Sequence, residues 1–150
     1  MGHEPSTPSA DPIARLLDIA GERWSLLILR DIFYGVRRFD ALQKNLGISK
    51  KVLSQRLSRL VGAEMLVRTL YQERPPRFEY RLTASGRDFF SILVAMQRWS
   101  SRWLFEEGET TIQLQHTDCG QPLDAKLVCG HCNGAVTPAR IKVIADTKRE

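Results

Sequence analysis

Apolar residues at Ile13, Leu16, Leu17 and Ala20 recur at the spacing of one helix face, which predicts a helix over 13–20 that Gly21 interrupts. The stretch from Trp24 to Phe33 is apolar nearly all round, so it reads as a second, central and buried helix, stopped at Tyr34-Gly35. Arg37-Arg38-Phe39 reads as short and extended. Phe39, Leu42 and Leu46 share one face and predict a helix over 39–46. Gly47-Ile48-Ser49 is a tight turn with Ser49 placed as an N-cap. Lys50 to Glu64 then carries Leu53, Leu57, Leu60 and Val61 in helical register.

The period changes after residue 65. Leu66–Tyr71 and Arg77–Leu82 alternate, the second placing Phe78, Tyr80 and Leu82 on one face, and Pro75-Pro76 forbids a continuous ladder between them. This is a β-hairpin with a basic, proline-stiffened tip. Thr83 opens a long helix, about 84–105, with more large apolar side chains than one stripe requires. Part of it is expected to pack on a second copy of the chain. Trp24, Phe33, Trp99 and Trp103 read first as core, with an aromatic pocket at the dimer interface as the alternative. From Glu106 onward the composition shifts to short strand-like pieces that hold all three cysteines.

The expected organisation is a flexible tail over 1–11, a main domain over 12–105, and an extension over 106–150. The fold class is mainly α with a small β-hairpin: a winged helix-turn-helix with a small Cys-containing C-terminal β appendage. Helix, Gly-containing turn and helix make the helix-turn-helix, and the hairpin with the following helix makes the wing.

Charge points to a partner. The net charge is +5, and it is unevenly spread. Between Arg37 and Arg77 ten basic residues face only Asp40, Glu64 and Glu73, a local +7, which leaves −2 for the remainder. A basic middle on a slightly acidic frame is the footprint of a polyanion-binding surface. On the 50–64 helix, the side opposite the leucines holds Lys51, Ser54, Gln55, Ser58 and Arg59. Gln can bond adenine and Arg guanine through two hydrogen bonds each, and Ser can reach a base or a phosphate. Ser49 and Lys50 sit at the helix start, where backbone amides and charge take a phosphate. Arg37 and Arg38 precede the first motif helix as backbone contacts, and Arg74 and Arg77 at the wing can enter a minor groove or grip the backbone. For Gln55 a bystander role stays open beside base reading. Arg56 lies nearer the buried edge, where an acidic partner is the alternative.

Several segments together are similar to the HxlR-type winged-helix transcriptional regulators, relatives of the MarR group. They are Leu17-Asp18-Ile19 with Gly21 and Trp24, the run Arg37 to Leu42, the run Gly47 to Leu57, and the wing Pro75 to Thr83 with Gly86. The resemblance covers residues 13 to about 105. It implies a homodimer, built from the first helix and the long helix after the wing, on a near-palindromic operator in double-stranded DNA. The recognition helix, about 49–63, would lie in the major groove and the wing, 72–77, on the minor groove or backbone. It also implies that some members respond to small molecules, electrophiles or oxidants among them, so a small-molecule effector is a further candidate partner. Many members carry Cys before the proline that opens the first helix, whereas Asp11 precedes Pro12 here. Thiol sensing at that end is therefore excluded.

His116, Cys119, Cys129 and Cys132 read H-x2-C-x9-C-x2-C, the form of two zinc-ribbon knuckles with two donors each. Plain cytosolic thiols or one disulfide are the alternative, and His131 competes with His116 as the fourth donor. No cofactor is required by the fold, and a bound zinc would be structural. The chain shows no phosphate loop, dinucleotide fingerprint or nucleophile elbow, so it does not read as an enzyme. With no apolar run of membrane-spanning length and no apolar leader in Met1–Pro12, it reads as cytoplasmic and without a membrane partner. The competing function is a winged helix used as a protein-interaction module. That role would favour apolar or acidic residues where this helix carries Lys, Gln, Ser and Arg.

Overall fold

Asp11 starts the first helix by accepting hydrogen bonds on Oδ1 from the amides of Ile13 (2.7 Å) and Ala14 (3.0 Å). Pro12 fills the first helical position, where a missing N–H costs nothing. In this computed structural model, which describes residues 11–106, 108–109 and 112–144, α1 spans Pro12–Ala20 and ends where the Gly21 amide returns to the Leu17 carbonyl. The tail expected over 1–11 lies outside the described residues except for Asp11.

The second helix, α2 (Arg23–Phe33), is the centre of the core, with Ile28, Leu29 and Ile32 shut off from solvent. Buried Asp31 faces Arg30 (2.6 Å) and the Asn45 side-chain amide (3.1 Å), which ties α2 to α3 (Phe39–Leu46). Gly47 closes α3 in the left-handed region, at φ 64°, a conformation that favours glycine. The next helix, α4 (Lys50–Gly62), packs Leu53, Leu57 and Leu60 into the same core. It stops short of Glu64 because Glu64 turns left-handed, at φ 56°, and the Met65 amide reaches back to the Leu60 carbonyl.

β1 (Leu66–Gln72) and β2 (Arg77–Leu82) form the antiparallel wing, in register from Leu66↔Leu82 to Leu70↔Phe78, with an irregularity between Leu70 and Gln72. Gln72 stiffens the tip by donating to the carbonyls of Arg74 and Pro75. The short extended piece before α3 joins this sheet: Arg38 bridges Glu79, and the Tyr80 amide donates to the Arg37 carbonyl.

The long helix expected over 84–105 is divided. α5 (Ala84–Asp88) and α6 (Phe90–Trp103) meet at buried Phe89, whose carbonyl accepts from Ile92 in a tighter turn. Thr83 caps α5 through the Gly86 amide, and Gly86 lies so close to the Met65 carbonyl that a Cβ would stand 2.1 Å from it. Trp24 and Phe33 are half-buried, and the Phe33 ring meets Phe90 at 4.8 Å between centroids. Trp99 and Trp103 are not core: they are 57% and 64% exposed. Their stripe is apolar, but nothing in the described chain covers it.

The chain divides into two compact units, one ending at Met96 and one beginning at Gln97, upstream of the boundary expected at residue 105. Beyond α6 the described residues hold no regular strands. The expected β appendage is reduced to single bridges, Gln115↔Pro122 and Val128↔Ala135, and a 3-10 turn at Pro138–Arg140. The segment is too short and too exposed to build a sheet face.

Candidate nucleic-acid interface

Ser49 begins α4 by accepting the Val52 amide on Oγ (3.2 Å), which leaves the remaining first-turn amides directed outward beside Lys50 and Lys51. With Leu53, Leu57 and Leu60 turned inward, the helical repeat carries Lys50, Lys51, Ser54, Gln55, Ser58 and Arg59 outward, and all six are exposed. Lys50, Lys51, Ser54, Gln55 and Ser58 carry no hydrogen bond to another described side chain. They form a donor-rich row with its apolar underside held fast, which is the arrangement a groove-reading helix needs.

Arg59 differs from its neighbours. Its guanidinium donates to the carbonyl of Asp18, near the C-terminal end of α1. Arg56, three residues earlier, pairs with Glu22 at 2.9 Å, so the acidic-partner alternative is the one realised. Two arginines thus fasten the α4 side to the α1–α2 corner. A carbonyl in a helix's last turn carries partial negative charge, so a cation there is favoured.

Beside the helix, Arg37 and Arg38 are exposed at the start of α3, and Arg74 and Arg77 are exposed at the wing. The Arg38 guanidinium lies 4.5 Å from the centre of the Tyr71 ring, a stacked arrangement that holds a long cationic side chain in place. Arg38, Phe39, Tyr71, Arg77 and Phe78 line a concavity of about 500 Å³ between the α3 start and the wing. Two positioning residues were not legible in the sequence. Tyr71 supports Arg38 and Phe78 supports Arg68, whose guanidinium lies 3.7 Å from the ring centre. Their aromatic character was visible, but not which arginine they would meet.

In the cysteine-bearing segment the candidate donors come in two pairs. His116 Nδ1 lies 3.5 Å from Cys119 Sγ. The amides of His131 and Cys132, and then the Cys132 side chain, hydrogen-bond to Cys129 and hold its thiol below the usual range. Among the described residues no three His, Cys, Asp or Glu side chains converge on a point that a metal ion would occupy. No helix of the described chain is long and apolar enough to cross a membrane.

Comparison with known proteins bears on the same elements. Residues 19–108 match the HxlR-like helix-turn-helix family. The chain is 42% identical over 131 residues to the uncharacterized HTH-type transcriptional regulator Rv3095 of Mycobacterium tuberculosis, covering 87% of this chain and 83% of that one. The crystal structure of PA1607, described as a candidate transcription factor, superposes with a TM-score of 0.83 at 36% identity, covering 92% of this chain and 96% of the other. A candidate transcriptional regulator of Enterococcus faecalis V583, described as of the MarR family, superposes at 0.57 with 26% identity, over 69% of this chain and 94% of that one. The matched region runs from α2 to α6 and includes α3, α4 and the wing, which carry the residues of the site.

Proposed function

Because the chain belongs to the HxlR-like helix-turn-helix family and is a transcriptional regulator, we propose that it acts as a homodimer on a near-palindromic operator. In this reading α4, about residues 49–63, enters the major groove, and the wing, 72–77, lies on the minor groove or the backbone. Gln55 reads base edges, with Ser54 and Ser58 beside it. Ser49, Lys50, Lys51, Arg37 and Arg38 hold phosphates, and Arg74 and Arg77 hold the flanking backbone or minor groove. Arg59 has donors left beyond the one on Asp18 and stays on the interface as a second-rank contact.

The observation that carries the reading is the row of outward, unoccupied donors on α4 above three fully buried leucines. A protein-docking helix would display apolar or acidic groups there instead. The homodimer rests on two apolar stripes. On α1, Ile13 and Leu17 are 69% and 57% exposed. On α6, Ile92, Met96, Trp99 and Trp103 follow one another at the spacing of a single helix face, all exposed. Two copies would set their recognition helices one DNA turn apart, about 34–36 Å, for successive half-sites on one side of the duplex.

Fluorescence anisotropy with duplexes from the chain's own promoter region, at two salt concentrations, tests this. Affinity should fall steeply with salt as released counterions dictate, and footprints should show two-fold symmetry. No binding to any duplex at low salt would overturn the proposal.

A further inference from the structure

Residues 114–136 contain one turn built twice, displaced by thirteen positions (Leu114 to Leu127, Leu123 to Val136). The Leu123 amide donates to Leu114 as Val136 does to Leu127. The His116 amide donates to Gln121 as Cys129 does to Gly134, and Gly120 donates to His116 as Asn133 does to Cys129. The bridges Gln115↔Pro122 and Val128↔Ala135 match, as do the left-handed residues Gly120 (φ 67°) and Asn133 (φ 56°). Under this correspondence His116 takes the place of Cys129, and Cys119 the place of Cys132. His131 takes the place of Asp118.

A second observation is independent of the repeat. Among the described residues from 112 to 144 none is buried, and Leu127, Val128, Ile141, Val143 and Ile144 are exposed. A segment this short without an apolar core needs another staple, commonly a disulfide or a metal. The three cysteines form no disulfide with one another.

We propose that His116, Cys119, Cys129 and Cys132 bind one structural zinc ion, each turn presenting its two donors as a knuckle. Three thiolates and one imidazole are the soft, four-donor set that zinc favours, and they leave no position for a reacting water. The two donors of each turn already sit together, while the two turns do not converge. The ion itself draws the pairs onto one point, as structural zinc binding is coupled to folding. The repeat chooses His116 over His131, which the spacing of the sequence left undecided.

The test uses the full chain, purified without chelator and passed through gel filtration, with zinc measured by elemental analysis. About one zinc per chain is expected in the parent and in His131→Ala, with a drop of roughly tenfold or more in Cys132→Ser and His116→Ala. No zinc in the parent even after equilibration with zinc chloride overturns the proposal. So does unchanged zinc in Cys132→Ser, and so does loss in His131→Ala with retention in His116→Ala. A measurement without mutation guards against misfolded variants. Cys119 and Cys132 are exposed, so slow alkylation of the parent thiols that a zinc chelator accelerates about tenfold or more requires a bound ion. Equal alkylation rates with and without chelator overturn the site. Neither readout involves DNA, so failure here and failure of the operator-binding reading are distinguishable.

Discussion

The Arg59 guanidinium on the exposed side of α4 is hydrogen-bonded to the Asp18 carbonyl near the end of α1. The helix proposed to read DNA is thereby tied to the helix that carries the exposed Ile13 and Leu17. Arg59→Ala should lower stability by about 0.5–1.5 kcal/mol, the net worth of one such bond, and should weaken DNA binding. Thermal unfolding and anisotropy on the same samples check this. Unchanged unfolding would show that the bond is not held in solution.

Lys51 and Gln55 stand close together on α4 but should fail differently. Lys51→Ala should weaken binding to specific and random duplexes alike and flatten the salt dependence, because it removes a proposed phosphate contact. Gln55→Ala should lose about 1–3 kcal/mol of discrimination at one base pair with little effect on random DNA. Anisotropy against an operator and a scrambled duplex separates the two. Equal losses on both duplexes for Gln55→Ala would remove its base-reading role.

Gly86 meets the Met65 carbonyl so closely that any side chain must displace backbone. Gly86→Ala should therefore cost about 1–3 kcal/mol, the range for an overpacked site, and loosen α5 from the wing. Chemical denaturation reads the loss. A variant as stable as the parent would mean that this close approach is absent.

Trp99 is a large apolar side chain left in solvent by its own chain. In the proposed homodimer a second copy would bury it, and Trp99→Glu should then shift the chain from dimer to monomer in sedimentation experiments. Operator affinity should fall by more than the loss of one contact, since a monomer engages a single half-site. A variant that stays dimeric would place the interface elsewhere.

Some of the site was legible in residue order. The 3.6-residue spacing of Leu53, Leu57 and Leu60 tells which side of α4 faces outward, and Ser49 marks its start. The hairpin follows from alternation and Pro75-Pro76. The long helix after the wing was not legible as two pieces, because the break falls at Phe89, which is buried in the core, a contact with distant segments that spacing does not record.

Periodicity, caps and clustered charge are local properties, so the sequence by itself determined the four helices before the wing, the wing, the cationic middle and the outward row on α4. Partnerships across the fold are not local. Only the tertiary structure decided that Arg59 turns to Asp18, Arg56 to Glu22 and Arg38 to Tyr71, and that Trp99 stays in solvent. Each of those outcomes depends on which distant segment arrives alongside, and residue spacing along one element carries no record of its neighbours.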